Sequence, residues 1–285
     1  MKIGISFNPY GSTYGRYGIE KFAKLKQHGY DAVDYNLADT NTELYHLNEQ
    51  DLIAKIHAEK EAVKAAGITI FQVHGPWHWP PTDDTEGNRQ ERLKKMKRAV
   101  LITSLLDCKH LVIHPIMPYG TEDLDSGEAE STWALNVSFF TALVEYAERY
   151  DVTICIENMP MPAFSIATPE KVLELVKTIN KDLCKVCLDT GHVAVFPELS
   201  VGNEVRRLGD HLKVMHIHDN MGDHDAHLYP SKGIIDWGDF IKAVNEIGYT
   251  GVLSLETSPP GNLEDDAFEK ESIHLCKIFR EIILP

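Results

Sequence analysis

The chain lacks the long apolar segment that a membrane-spanning helix requires. Within its 285 residues, no uninterrupted apolar stretch approaches the roughly 20 residues needed to cross a bilayer. Residues 1–7 also lack the apolar region and cleavage site of a signal peptide, and they are typical of a strand. The sequence therefore predicts a cytoplasmic protein without a membrane partner.

Cysteine is scarce and odd in number. Five cysteines in a chain too long to be a disulfide-stapled mini-protein are typical of reduced thiols. Cys184 and Cys187 form a single CxxC pair, and no second pair is present to complete a thiolate zinc site. We interpret these two cysteines as residues that enter a buried strand.

Basic residues are too few to balance the acidic ones. Lys and Arg total 28 against 43 Asp and Glu, which leaves a net charge of −15. Such a chain repels phosphate backbones and anionic membrane surfaces, so nucleic acid is an unlikely partner. No GxGxxG motif follows the first predicted strand, which leaves dinucleotide binding unsupported.

Short β-rich runs alternate eight times with longer segments of helical periodicity. The runs occupy residues 2–7, 32–37, 69–74, 110–114, 152–157, 185–189, 212–218 and 251–256. The helical segments include residues 51–66, 89–106, 130–149, 169–179, 237–247 and 265–282. This alternation predicts an α/β fold, a single (β/α)8 TIM barrel over residues 1–285, with a doubly wound open sheet as the alternative.

In the predicted strands, the acidic side chains lie on one face only. Successive side chains of a strand point to opposite faces, and in the fifth run three aliphatic residues share one face while Glu157 ends the other. Asp189 and Glu256 end the small or polar faces of the sixth and eighth runs. In a barrel the polar face points inward, and its carboxyl-terminal rim is where active sites lie.

Six consecutive strands, the third to the eighth, each deliver a carboxylate or an imidazole to this rim. In chain order the residues are His74, His114, Glu157, Asp189 with the following His192, His216 and Glu256, together with Asp225 and His227 of the loop after strand seven. His78, His218 and His224 are expected to lie around this set or to face solvent.

Three carboxylates at one desolvated rim require a positive partner. Burying an unpaired carboxylate costs several kcal/mol or forces its protonation. Lys and Arg are absent from the strand ends, so a divalent metal ion is the simplest source of positive charge. The carboxylate and imidazole donors suit Mn, Zn, Fe, Co or Mg.

The loop after the third strand is rich in tryptophan. Trp77 and Trp79 flank His78 and precede two prolines. Flat indole faces can cover the C–H surface of a sugar while carboxylates and imidazoles bind its hydroxyls. The loop therefore fits a small-molecule sugar as the expected partner, with hydrophobic anchoring of the loop as the alternative role of Trp77 and Trp79.

Over essentially its whole length the chain resembles the xylose isomerase-like barrel superfamily. The resemblance rests on the ordered motifs His74-Gly-Pro, His114-Pro, Glu157-Asn, Asp189-x-x-His192, His216-Ile-x-Asp219, Asp225-x-His227 and Glu256. The superfamily includes sugar (phosphate) isomerases and epimerases, inosose dehydratases, and AP endonucleases of the endonuclease-four type.

The two branches of this superfamily imply different metal contents. The epimerase branch implies one metal ion at the positions of Glu157, Asp189, His216 and Glu256. The endonuclease branch implies three zinc ions, held by those four residues together with His74, His114, His192, Asp225 and His227. All nine positions are filled here, but the net charge and the acidic loops at 83–86 and 122–125 oppose a DNA-facing rim.

The chain also departs from the ketose 3-epimerases that it resembles. Those enzymes usually carry a Glu six residues after the first metal-binding Glu and an Arg six residues after the metal-binding His. Ala163 and Gly222 stand at these positions. The resemblance therefore implies a different substrate, or a substrate that is held differently.

These observations favour a metal-dependent sugar isomerase or epimerase. Glu157 and Glu256 would remove and return a proton, and the metal ion would stabilise the enediolate. The alternatives are a multinuclear zinc phosphodiesterase or AP endonuclease-like hydrolase, and a metal-dependent keto-polyol dehydratase. One metal ion is expected, three are the upper limit, and a homo-oligomer is one of the oligomeric states left open.

Overall fold

The computed structural model describes residues 1–8, 11, 13–81 and 83–283, and its eight strands form one closed parallel barrel. The strands are β1 (Lys2–Phe7), β2 (Ala32–Asn36), β3 (Thr69–His74), β4 (His110–Ile113), β5 (Thr153–Glu157), β6 (Cys184–Asp189), β7 (Leu212–Ile217) and β8 (Val252–Leu255). Each strand pairs with its neighbours in chain order, and β8 pairs with β1. The predicted (β/α)8 fold is confirmed, and the open sheet is excluded. The predicted domain limit at residue 285 lies outside the described residues.

Helices connect the strands. They are α1 (Lys21–Gln27), α2 (Glu49–Ala66), α3 (Glu86–Leu105), α4 (Asp123–Ser126), α5 (Ala129–Ala147), α6 (Pro169–Ile179), α7 (Thr190–Ala194), α8 (Val201–Leu208), α9 (Trp237–Glu246) and α10 (Asp265–Ile283). All six predicted helical segments are present, with ends within three residues of the expected ones. None of the six segments covered the shorter helices α1 and α8.

Polar side chains begin most of the long helices. Asn48, Thr85, Thr168 and Asp236 each accept a hydrogen bond from a backbone N–H in the first turn of α2, α3, α6 and α9. Such caps satisfy donors that have no partner within the helix. Asp189 caps the short helix α7 in the same way, through His192 N at 2.7 Å.

The barrel interior and the outer core are separate apolar clusters. The aliphatic strand faces pack under the helices in the main core, which includes Ile154, Ile156 and Leu188. Val112, Cys155, Cys187 and Val214 form a small second cluster inside the barrel. The face that ends in Glu157 and Asp189 therefore points inward, as the alternation of side chains predicts.

Strand register brings the polar ends to one level. Asp189 of β6 lies opposite His216 of β7, and Glu157 of β5 lies opposite Cys187. His216 in turn faces Ser254 of β8, two residues before Glu256. Neighbouring parallel strands thus place their carboxyl ends side by side, which assembles the rim.

The cysteines are buried inside the fold. All five cysteines lie in the described part of the chain, are buried and are free, and Cys184 and Cys187 both belong to β6. Our interpretation of the CxxC pair as part of a buried strand is therefore confirmed.

Among the described residues, none of the helices combines the length and the apolarity that crossing a membrane demands.

Candidate metal centre and active site

Glu157 lies at the middle of the rim and is fully buried. Its Oε1 is 2.6 Å from Nδ1 of His216, and its Oε2 is 2.9 Å from Nε2 of His114. His74 approaches the same Oε2 through Nε2 at 3.6 Å. One carboxylate therefore connects side chains from β3, the end of β4, β5 and β7.

The four residues predicted to hold one metal ion come together. Glu157, Asp189, His216 and Glu256 each offer one ligand atom, and these atoms all lie within 4.8 Å of one another. Oε2 of Glu256 is 3.2 Å from Nδ1 of His216, the same nitrogen that Glu157 contacts. We name these four residues the central cluster.

A second group of donors lies beside the central cluster, and we name it the loop cluster. His192 and His227 place Nε2 at 3.3 and 3.1 Å from Oδ2 of Asp225. His218, which we expected outside the ligand set, is fully buried, with Nε2 at 3.0 Å from Asp189 and 3.5 Å from Asp225. His192, His218, Asp225 and His227 form the loop cluster.

The remaining predicted histidines form a third group with Glu157. Nε2 of His74 and Nε2 of His114 are 3.2 Å apart, and the ring of His74 stacks on that of His216 with an interplanar angle of 10°. All nine residues proposed from the sequence therefore lie in three adjoining groups. His78 and His224 are exposed side chains outside them.

Burial keeps two of these imidazoles neutral. It lowers the pKa of His114 to about 4 and also lowers the pKa of His74, although the Glu157 carboxylate opposes both shifts. A neutral imidazole carries the free lone pair that a metal ion needs. Both histidines are therefore in a form that can act as ligands at neutral pH.

The carboxyl groups of the central cluster have divergent pKa values. Burial and the neighbouring carboxylates of Glu157 and Asp189 raise the pKa of Glu256 to about 8. Burial also favours the neutral form of Asp189, but His192 and His218 outweigh it and lower its pKa to about 2. This divergence is expected where several buried carboxylates share too little positive charge.

The central cluster fits a divalent cation. Its donors are three carboxylates and one imidazole, a set that suits hard and borderline metal ions. No Lys or Arg stands among the described residues that line the cavity above it. The chain thus has a buried His, Glu and Asp cluster whose chemistry is compatible with a divalent metal ion.

A cavity of about 360 Å³ opens above the clusters. Its lining combines acids and imidazoles with an apolar wall: Asn36, Ala38, His74, Trp77, Trp79, His114, Met159, Pro160, Met161, His192, Asp225, His227 and Glu256. The ring of Trp77 lies 4.4 Å from that of His114 in an edge-to-face arrangement, whereas Trp79 is 61% exposed at the entrance. Both predicted tryptophans therefore border the space above the clusters.

Sequence reasoning missed three buried polar residues around the clusters. Asp34 of β2 contacts His216, and Gln72 of β3 contacts Asp34. Asn158 bonds both the N–H and the carbonyl of Asp189, and its own carbonyl lies 2.7 Å from Nδ1 of His192. The alternation rule could have found Asp34, because it shares a strand face with the cavity residue Asn36.

Gly191 follows the end of β6 and leaves space for the ring of His218. A Cβ atom at this position would lie 1.9 Å from Cε1 of His218, so Gly191→Ala must push that ring away from Asp189. Because overpacking typically costs about 1–3 kcal/mol, we expect the free energy of unfolding to fall by that amount in urea titrations.

Gly87 provides the control for this substitution. It lies in α3, and the nearest atom to an added Cβ would be 3.9 Å away. Gly87→Ala should therefore stabilise the protein by about 0.4–1 kcal/mol. Equal stability of the two variants would contradict the packing role of Gly191.

The fold and its rim of acids and histidines define a TIM barrel with a cluster of side chains suited to a metal ion. A comparison with known protein families agrees with this class of barrel. A family model described as xylose isomerase-like TIM barrel matches residues 22–277. The chain belongs to this family.

Individual relatives include proteins with and without a known activity. The uncharacterized protein MJ1311 of Methanocaldococcus jannaschii is 30% identical over 231 residues, which is 75% of this chain and 72% of the relative. D-psicose 3-epimerase of Ruminiclostridium cellulolyticum is 25% identical over 243 residues, covering 85% of this chain and 77% of the enzyme. The crystal structure of a D-tagatose 3-epimerase-like protein superposes with a TM-score of 0.78 at 25% identity, covering 99% and 97% of the two chains.

Proposed function

We propose that this protein is a divalent-metal-dependent isomerase or epimerase of a sugar or sugar derivative. The observation that carries the proposal is the placement of two glutamates, Glu157 and Glu256, on the same nitrogen of His216 beneath an open cavity. The similarity to sugar epimerases supports this class of reaction.

Glu157, Asp189, His216 and Glu256 would hold the metal ion. When bound, a divalent ion supplies a Lewis acid that polarises a carbonyl group and offsets negative charge next to it. Asp189 is anchored for this role, because Asn158 accepts a hydrogen bond from its backbone N–H and Nε2 of His218 lies 3.0 Å from its carboxylate. Glu157 is anchored by His114 and His216.

Proton transfer falls to the two glutamates. Glu157 is part of β5 and Glu256 follows β8, so they approach the cavity floor from strands three apart around the barrel. A substrate between them would present a C–H bond next to its carbonyl to one carboxylate and the opposite face of that carbon to the other. One glutamate would take the proton, and the other would give a proton to the opposite face of the same carbon, which inverts the configuration there. Protonation of the former carbonyl carbon instead, with loss of the proton of the neighbouring hydroxyl, would move the carbonyl group.

The other cavity residues bind and orient the substrate. His192 and Asp225 both line the cavity and form a pair that a sugar hydroxyl could join. Trp77 and Trp79 provide flat apolar faces against the C–H surface of the ring. These faces also exclude water from the reacting carbon.

The cavity favours a substrate without a phosphate group. Charged side chains that bind phosphate are generally Arg or Lys, and the described lining contains neither. Gly222, where related ketose 3-epimerases carry Arg, has a φ of 86°, and an added Cβ would lie 2.8 Å from Ile234. The protein therefore holds its sugar by hydroxyl groups and stacking.

Solvent isotope exchange provides the decisive experiment for this function. The protein loaded with Mn²⁺, Co²⁺ or Zn²⁺ is incubated in D₂O with unphosphorylated ketoses, including D-psicose, and with inosose. We expect one deuterium to enter the recovered sugar at the carbon next to the carbonyl, together with formation of an epimer or isomer. Product that forms without deuterium exchange would contradict the proposal, as would the absence of turnover across the panel.

Removal of the metal ion tests the central cluster in the same assay. We expect treatment with a chelator to lower the turnover rate by at least roughly 100-fold, and added divalent metal to restore it. Elemental analysis of the purified protein should find about one metal ion per chain. Full activity after complete metal removal would exclude a metal-assisted reaction.

A multinuclear phosphodiesterase is the second candidate, because three adjoining donor groups are present. Three metal ions per chain and cleavage of a duplex with an abasic site would support it. The net charge of −15 opposes such a substrate, which is why the isomerase is preferred.

A further inference from the structure

Asp34 is a buried carboxylate that the proposed reaction does not use. It lies on β2, has no exposed surface and places Oδ2 2.8 Å from Nε2 of His216. His216 is equally buried. The two side chains thus form a contact inside the barrel, on the ring nitrogen of His216 opposite the one that Glu157 and Glu256 contact.

The opposite nitrogen of His216 faces the proposed metal ligands. Nδ1 lies 2.6 Å from Glu157 and 3.2 Å from Glu256. An imidazole that donates its proton from Nε2 keeps a lone pair on Nδ1, the nitrogen that points to the central cluster. A carboxylate at Nε2 therefore selects the form of the ring that can bind a cation through Nδ1.

Gln72 holds Asp34 in this orientation. Its Nε2 donates to Oδ2 of Asp34 at 3.0 Å and to the carbonyl of Met215, next to His216, at 3.3 Å. A shift in strand register supports the pair, because Val33 lies opposite Ile70 while Asp34 lies opposite Gln72. The irregular pairing of β2 and β3 thus places a carboxylate and an amide together under the histidine.

We propose that Asp34, held by Gln72, is a positioning residue that orients His216 and raises its strength as a metal ligand. The inference rests on the proposed metal centre. Asp34 acts through His216 rather than on the sugar, so its removal should weaken metal binding even in the absence of substrate. Partners of this kind typically change metal affinity by roughly 10- to 100-fold.

The test compares zinc affinity of the wild-type protein and Asp34→Asn by competition with a chromophoric chelator. Asparagine preserves the shape of the side chain and removes its charge. We expect the dissociation constant for zinc to rise by roughly 10- to 100-fold, with little change in the melting temperature of the metal-free protein. Gln72→Met should produce a smaller rise in the same direction, because it loosens Asp34 without removing its charge.

Thr103→Val is the matched control. Thr103 is a fully buried polar residue whose hydroxyl bonds the carbonyl of Ala99 within α3. This variant should keep the zinc affinity of the wild type. A loss of affinity in Asp34→Asn no larger than in Thr103→Val would overturn the role of Asp34.

The wild-type protein alone supplies a second measurement should Asp34→Asn fail to fold. A zinc-loaded crystal structure with zinc on Nδ1 of His216 and Asp34 still beside Nε2 supports the proposal. A rotated ring, or Asp34 itself as a ligand, contradicts it. If the wild-type protein binds no zinc, Mn²⁺ or Co²⁺, the proposed metal-dependent function fails together with the role of Asp34. If the wild-type protein binds zinc and Asp34→Asn binds it with the same affinity, only the positioning role of Asp34 fails.

Discussion

Replacing Glu157 by glutamine should lower the turnover of the sugar by roughly 10²- to 10⁴-fold, the contribution typical of a positioned acid–base group. Glutamine fills the same volume but cannot accept a proton. It also directs an amide N–H₂ or an uncharged oxygen at His114 and His216, where the carboxylate now lies at 2.9 and 2.6 Å. The measurements are initial rates and deuterium uptake at saturating metal.

Two further variants separate acid–base chemistry from loss of charge. Glu204→Gln is the matched control, since Glu204 is a buried glutamate in α8 that pairs with Arg207 and belongs neither to the clusters nor to the cavity lining. It should keep full activity. If Glu157 and Glu256 each serve one face of the substrate, Glu157→Gln and Glu256→Gln should retain residual deuterium exchange with opposite epimers.

Full activity in Glu157→Gln that still contains metal would remove Glu157 from the proposed chemistry. Equal residual exchange with both epimers in the two variants would instead indicate that a single base serves both faces. Neither result bears on the fold or on the geometry of the central cluster, because neither feature depends on which residue carries the proton.

The position of the site was predictable because two regular features of the fold act together. Alternation within each strand directs Glu157 and Asp189 inward, and parallel pairing in chain order places the ends of successive strands side by side. No knowledge of loop structure is needed for this step. Residues at strand ends were therefore brought together as expected, including His74 and His114 on neighbouring strands.

The supporting residues were harder to predict for physical reasons. Alternation alone directs Asp34 into the barrel, but the register shift between β2 and β3 that sets it opposite Gln72 leaves no signature in the sequence. His218 ends the predicted run 212–218 and shares the parity of His216, whereas the observed strand β7 ends at Ile217. Its place between Asp189 and Asp225 depends on the following loop.

That loop is organised by Asp219, which is fully buried. Its carboxylate accepts hydrogen bonds from the backbone N–H groups of Asn220, Ser231 and Ile235, and from the indole N–H of Trp237 at 2.9 Å. The chain therefore leaves β7, passes through the loop cluster and returns to the start of α9 around one side chain. Gly233 allows the close approach, because a Cβ there would lie 2.3 Å from Oδ1 of Asp219.

Asp219→Ala should consequently cause the largest loss of stability among the variants considered. It leaves four donors without their acceptor, and an unsatisfied buried donor costs about 1–3 kcal/mol, so we expect the free energy of unfolding to fall by at least about 3 kcal/mol. Asp236→Ala, which removes only the cap of α9 in the same segment, should cost about 1 kcal/mol. Urea titration measures both, and equal losses would contradict the organising role of Asp219.

Because Asp225 and His227 lie within the released loop while Glu157 and Glu256 do not, Asp219→Ala that retains one zinc ion would assign that ion to the central cluster.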